Sequence, residues 1–291
     1  MHDDHEHDLG LHHDLAALLT RSAAPPRLQR RGALKVLAGA GAGLVLAACG
    51  SDAKRALSTT TSTTGATSTT AAGATSTTTA SSGSPSDAIP EETAGPFPGD
   101  GTNGPNVLTE SGIVRSDIRP SFGSLSGTAA GEPLTVELTV VTASTGKPLA
   151  GAALYLWHCT SEGGYSLYSS AVTDQNYLRG VQESDADGRL SFTTVFPAAY
   201  DGRWPHMHFE VYPSLDEATS AGSRLVTSQL ALPEEACAAV YATTGYEASP
   251  ANLARVSLDT DMVFSDGYAS QLATIGGAVG SNLTASLVVA V

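Results

Sequence analysis

Basic residues are scarce in this chain of 291 residues: 15 Lys and Arg stand against 29 Asp and Glu, a formal net charge of −14. An acidic surface repels phosphate, which argues against a nucleic-acid partner and against direct binding to anionic lipid headgroups. The imbalance belongs to the body of the chain, because residues 1–48 carry five basic and five acidic side chains that cancel. Cysteine is scarcer still. Of three, Cys49 ends an N-terminal apolar stretch, and only Cys159 and Cys237 lie further on. They could form one disulfide or remain two buried thiols, and sequence alone leaves both readings open. The apolar stretch before Cys49 has the length of an export signal, not of a membrane span. Histidine is poor where it matters. Five of eight (His2, His5, His7, His12, His13) sit in the N-terminal segment, which leaves His158, His206 and His208 to serve any metal site.

The paired Arg30 and Arg31, followed by Leu34 and Lys35, resemble a twin-arginine export signal, and Leu46-Ala47-Ala48-Cys49 resembles a bacterial lipobox. By that resemblance residues 1–48 are a signal peptide. Cleavage would leave Cys49 first and lipidated, so that the protein is exported and anchored to the outer face of the cell membrane. The alternative is an ordinary signal and a soluble secreted protein. Residues 58–84 are entirely Ser, Thr, Ala and Gly. Such a segment buries too little apolar surface to offset its chain entropy, so residues 49–88 are expected to be a flexible tether. About two hundred residues, 89–291, remain, enough for one domain with a full core.

Within that body Leu134, Val136, Leu138 and Val140 alternate with Thr135, Glu137 and Thr139, the pattern of a strand with one buried face. Ala152 to Trp157 is a second, short apolar run. Asp187-Gly188 separates Arg179–Ser184 from Leu190–Phe196 and predicts a hairpin. Phe209 and Val211 extend a strand that carries His206 and His208, and Leu225–Leu232 predicts another. One helix is expected, from Pro233 through Glu234 and Glu235 to about Tyr241, ending before Gly245. Strands at this spacing, with Gly and Pro turns, predict an all-β chain: an antiparallel β-sandwich with one or few short helices.

The residues that carry chemistry lie in Tyr200-Asp201-Gly202-Arg203-Trp204-Pro205-His206-Met207-His208. Two histidines spaced i, i+2 on a strand point to one face. Such a pair can be surface chemistry, packing or a metal site. The apolar neighbours Met207, Phe209 and Val211 imply a partly buried strand, which favours the metal. A copper/zinc dismutase centre needs more imidazoles than His158 could add, and a cupin needs a further acid and a distant histidine. Glu210 shares the strand face, so a two-histidine, one-carboxylate ferrous site is arithmetically open. Tyr165 and Tyr200, both near turn glycines, are the other candidates. A phenol with a pKa near 10 ionises only when a strongly charged ion lowers it, so two phenolates with two imidazoles would favour ferric iron.

The set Trp157-His158-Cys159, Gly163-x-Tyr165-Ser166, Leu178-Arg179-Gly180-Val181-Gln182, Asp185-x-Asp187-Gly188, Phe192-Thr193-Thr194, Pro197-x-x-Tyr200-x-Gly202-Arg203-x-x-His206-x-His208 and Thr227-Ser228-Gln229-Leu230 resembles the intradiol ring-cleavage dioxygenases. Glu91–Pro98 and Val114–Arg119 are weaker echoes. The resemblance implies a non-haem Fe(III) held by Tyr165, Tyr200, His206 and His208. A catechol would bind through both oxygens, with Tyr200 taking up a proton, and would react with O2 to give a muconate-type diacid. Arg203 matches the arginine that stabilises charge on the substrate ring, and Gln229 a glutamine near the site. Arg179 and His158 are read as structural.

The chain departs from the catechol and hydroxyquinol members, whose helical dimerisation segment is replaced here by the tether and by a stretch containing Pro90, Pro96, Pro98 and Pro105, poor material for helices. Two readings from other classes compete: a non-catalytic β-sandwich module binding an aromatic or a glycan, and a structural lipoprotein whose histidine pair takes up zinc. The complete set of two tyrosines, two histidines and Arg203 favours the enzyme, because neither alternative needs it.

Overall fold

The computed structural model describes residues 87–220 and 222–291. The expected signal peptide, Cys49 and nearly all of the tether over 49–88 lie outside the described residues. Eight strands form two four-stranded sheets, ordered β4-β1-β8-β7 and β3-β2-β5-β6. They are β1 (Pro133–Val141), β2 (Ala153–Trp157), β3 (Arg179–Glu183), β4 (Arg189–Val195), β5 (His206–Tyr212), β6 (Val226–Ala231), β7 (Thr274–Ala278) and β8 (Ser281–Ala290). Short helices α1 (Leu215–Thr219), α2 (Glu234–Tyr241) and α3 (Ser249–Leu253) sit between strands. The chain is the expected β-sandwich, with one exception to its antiparallel pairing: β8 runs parallel to β1, Leu134 facing Leu283. Ile89 at the start of the domain closes the same region, its amide donating to the Ala290 carbonyl at 2.8 Å.

Alternation builds the first sheet. Leu134, Val136, Leu138 and Val140 are buried, while Glu137 is exposed and Thr135 and Thr139 are half-buried. They pack on Leu154, Leu156, Met207, Phe209, Val211 and Leu230 of the second sheet to make the sandwich core. Each such side chain stabilises the fold by roughly 1.5–3 kcal/mol. The second sheet differs, because β2, β5 and β6 are buried at every position. Its outer face is covered by the segment before β1 and by the β2–β3 loop. Val107, Leu108, Ile113 and Phe122 from the former meet Tyr155, Trp157 and Tyr165 in a second core. That cover creates a dry face on which polar side chains can be held.

One expectation is corrected. Asp187-Gly188 does make a turn, closed by the Asp185 amide on the Arg189 carbonyl at 2.9 Å, but the flanking strands do not pair. β3 lies in one sheet and β4 in the other. The Gly188 carbonyl instead accepts from Val140 at 2.7 Å and sends the chain alongside β1, where Arg189 faces Thr139. Turn chemistry fixes a reversal and says nothing about which strand is then nearest. The cysteines are settled as thiols: Cys159 and Cys237 are both buried and unbonded. Burial pushes the Cys159 thiol up to about 12, so it is inert at neutral pH. Helix α2 follows the expectation, capped by Pro233, with Glu234 and Glu235 in its first turn. Strands β7 and β8 and helices α1 and α3 were not foreseen.

Candidate active site

One transverse row of the second sheet organises the site. Arg179 of β3 faces Trp157 of β2, Trp157 faces His208 of β5, and His208 faces Gln229 of β6. Directly paired residues share a face, so all four project under the cover. Trp157 stacks on His208 with ring centroids 5.0 Å apart and planes 8° from parallel. His206, two residues before His208, projects beside it. His158, one residue beyond Trp157, turns the other way: its Nε2 meets Thr194 Oγ1 of β4 at 2.7 Å and Nδ1 lies 2.7 Å from the Cys159 carbonyl. Its structural role is as expected, and burial lowers its pKa to about 4.

Tyr165 and Tyr200 arrive from loops. The Tyr165 amide donates to Ser169 Oγ at 2.9 Å, and Arg179 grips the next residue, donating to Ser166 Oγ and to the Ser166 carbonyl, each at 3.0 Å. The same guanidinium donates to the Phe97 and Pro98 carbonyls at 2.9 Å, tying the Tyr165 loop to the strap over residues 92–98. Phe97 packs on Tyr165 with centroids 5.1 Å apart. Close approach requires glycine at two places. A Cβ on Gly95 would stand 3.1 Å from His208 Cε1, and one on Gly163 3.1 Å from Tyr200 Cβ, with φ of +69° and +91°.

The four expected ligands converge. His206 Nε2 lies 3.1 Å from His208 Nε2 and 3.2 Å from Tyr200 Oη, and Tyr200 Oη lies 3.5 Å from Tyr165 Oη. Nitrogen and oxygen donors bound to one ion at about 2.0–2.2 Å stand roughly 3 Å apart when at right angles. The protonation pattern fits a metal as well. Burial first, and then Arg203 for His206 and His206 for His208, lowers both imidazoles well below their ordinary range. Both are therefore neutral. His206 donates from Nδ1 to the Trp204 carbonyl at 2.5 Å, which leaves Nε2 as a lone pair aimed into the site. His208 Nδ1 is buried and closes no hydrogen bond of ordinary geometry, although the Thr93 backbone lies close enough to favour its proton. Neutral imidazole lone pairs and phenol oxygens grouped in this way are donors that could hold a metal ion.

The carboxylate alternative does not assemble. Glu210 accepts from Tyr212 Oη at 2.6 Å and pairs with Arg224 at 3.2 Å, away from the histidine nitrogens. Among the described residues, no three His, Cys, Asp or Glu side chains gather as a metal site. Arg203 and Gln229 are both brought to the expected place. Arg203 Nη1 lies 3.5 Å from His206 Nε2, and Nη2 donates to Gln229 Oε1 at 2.7 Å. Gln229 Nε2 in turn donates to the Thr93 carbonyl at 2.9 Å, joining the arginine to the strap.

Two contributors went unrecognised in the sequence. Asp261, fully buried, accepts from Arg203 Nε at 2.9 Å. Its local context, an acid before Met262-Val263-Phe264, signals a turn in which the side chain accepts nearby amides, and it does accept from Val263 and Phe264. Nothing local signals a partner 58 residues upstream. The second is Glu92 on the strap. Burial and Asp266 push it up to about 7, against the pull of Gln271 and Arg203.

A family model described as "Dioxygenase" matches residues 105–227. Catechol 1,2-dioxygenase 1 of Acinetobacter lwoffii is 40% identical over 91 residues, 31% of this chain but only 26% of the relative. The chain thus spans about a quarter of that protein's length. The protocatechuate 3,4-dioxygenase beta chain of Burkholderia cepacia is 31% identical over 163 residues, half of this chain and 67% of the relative. Among solved structures, an intradiol ring-cleavage dioxygenase from Tetranychus urticae superposes with a TM-score of 0.55 at 23% identity, covering 70% of this chain and 94% of that one, which shows a shared fold. With two thirds of a relative matched at this identity and the fold in common, the chain belongs to the intradiol ring-cleavage dioxygenase family.

Proposed function

We propose that the protein cleaves the ring of a catechol-type aromatic between its two hydroxyl-bearing carbons, using ferric iron and O2, to give a muconate-type diacid. The convergence of Tyr165, Tyr200, His206 and His208 at 3.1–3.5 Å carries this reading. When bound, ferric iron would hold the phenols as phenolates and draw electron density from the catecholate, opening its ring to O2. Both oxygen atoms enter the product, so no external reductant is needed. The chain's own residues do the rest. Tyr200, half-buried where Tyr165 is buried, is the ligand placed to accept a substrate proton at Oη. Arg203 supplies a fixed cation beside the ring, where the surrounding burial strengthens its field. Trp157 and Gly95 hold the His208 ring between a stacked indole and the strap.

The test is spectroscopic before it is kinetic. Protein loaded with ferric iron should be coloured through phenolate-to-metal charge transfer, should lose most of that colour as Tyr165→Phe, and should consume O2 with catechol. A protein that binds iron and stays colourless sinks the reading. We also propose an exported lipoprotein, on the strength of Arg30-Arg31 and Leu46-Ala47-Ala48-Cys49. Among the described residues no helix is long and apolar enough to cross a membrane. Cys49→Ser should move the protein from the membrane fraction to the soluble one; unchanged partitioning would refute the anchor.

A further inference from the structure

Arg203 is held on a long, flexible stem, and a guanidinium on such a stem acts at a defined place only when its other donors are engaged. Its Nε donates to Asp261 Oδ2 at 2.9 Å, and Nη2 reaches Asp261 Oδ1 at 3.4 Å as well as Gln229. Asp261 is itself anchored. Oδ2 accepts the Trp204 amide at 2.7 Å, and Oδ1 accepts the amides of Val263 at 2.8 Å and Phe264 at 3.3 Å. Both partners of the pair are buried, with side chains 2% and 0% exposed. Around the pair, Trp204 and Phe264 belong to one apolar cluster, and the Phe264 ring lies 6.5 Å from that of His206.

Resting on the proposed dioxygenase function, we infer that Asp261 is the positioning residue for Arg203: it locks the Nε and Nη2 edge of the guanidinium so that Nη1 faces the reacting ring. The same carboxylate bonds the amide that follows Arg203 and two amides of its own turn. It therefore registers the backbone of the histidine strand against the segment after α3. That segment lies outside residues 105–227, the part of the chain matched by the family model. The catalytic unit thus extends past residue 227 into the C-terminal region. Asp261 touches neither substrate nor metal in this role and acts only through Arg203.

The pairing predicts a non-additive cycle on the iron-loaded full chain. Asp261→Asn should lower kcat roughly 10–100-fold, the range for losing a group that orients an active-site residue. KM and the charge-transfer band should change little. In an Arg203→Met background, Asp261→Asn should cause no further loss of kcat, because there is no guanidinium left to orient. Thermal stability gives a second readout that needs no turnover. Asp261→Asn should lower Tm more in the wild type, where it breaks the pair as well as an amide hydrogen bond, than in Arg203→Met, where the amide bond alone is lost and a buried carboxylate without a counter-ion is removed. A carboxylate that merely braces its turn would instead lower Tm equally on both backgrounds and reduce kcat on both, and either result overturns the inference. Should Asp261→Asn alone fail to fold, kcat of Arg203→Met against the double variant still decides: equal values support the pairing and a further loss overturns it. A wild type with no colour and no O2 uptake defeats the dioxygenase reading, and the difference between the two Tm losses then judges the pair by itself.

Discussion

Arg179 and Arg203 flank the same site, 1% and 2% exposed, and are held in opposite ways. Arg179 has no carboxylate partner among the described residues. It donates to the carbonyls of Phe97, Pro98 and Ser166, to Ser166 Oγ and to Tyr155 Oη. Five fixed acceptors spread over three segments make it a bolt between the strap, the Tyr165 loop and the sheet. Arg203 is gripped along one edge by Asp261 and Gln229 and directs its remaining nitrogen toward His206. A buried cation whose donors all go to fixed neutral acceptors organises the fold. One clamped along an edge, with a nitrogen aimed at His206, is placed to meet whatever would bind there. The geometry of the donors, not burial or residue type, separates the two.

The largest expected effect is on the bolt. Arg179→Met removes five hydrogen bonds from a buried guanidinium, although Tyr155 Oη still serves the Pro98 carbonyl, so we expect a destabilisation on the order of 3 kcal/mol or more and loss of tightly held iron as the Tyr165 loop loosens. Chemical denaturation and the charge-transfer band would measure both. Retention of full colour would break the comparison by showing that the loop holds without its clamp. Arg203→Met should do the reverse, keeping iron and colour while lowering kcat about 10²–10³-fold, the scale for removing one preorganised donor from a charge-stabilising site. Loss of iron in that variant would make this arginine structural too. The smallest effect concerns the acids on the Arg203 side. Glu92, half-buried and pushed up from 4.5 to about 7, holds its proton more tightly in the folded chain than in the unfolded one. Its contribution to stability is complete below its unfolded pKa and is lost as pH rises through about 7. Glu92→Gln and the wild type should therefore differ in Tm mainly above neutrality, with the variant higher at about pH 8; equal pH profiles would show that the carboxyl is not strained there.

Much of the site could be read along the chain because its parts are local. His206 and His208 sit on one strand with fixed alternation, and Arg203 precedes them by less than one turn of backbone. The sandwich was visible for the same reason in Leu134, Val136, Leu138 and Val140, where period-two burial follows from the pleat. Legibility stopped where a partner came from far away. Asp187-Gly188 predicted a reversal but not that β4 would leave for the other sheet. β8, whose exposed start and mixed burial give weak alternation, was unreadable until β1 supplied its parallel partner. Asp261 read as a turn residue because its nearest amides say so, while its bond to Arg203 reaches back 58 residues.

By itself the sequence determined the identities of the donors and the face on which two of them lie: two imidazoles at strand spacing, two phenols beside turn glycines, one arginine close by. Those follow from backbone periodicity and side-chain chemistry, which act over a few residues. The tertiary structure decided everything that depends on separation in space. It excluded Glu210 by engaging it with Tyr212 and Arg224, left Cys159 and Cys237 as thiols, aligned Arg179, Trp157, His208 and Gln229 in one row, and set Asp261 behind Arg203. Such contacts are chosen by packing and register summed over the whole domain, and no short stretch of chain contains that sum.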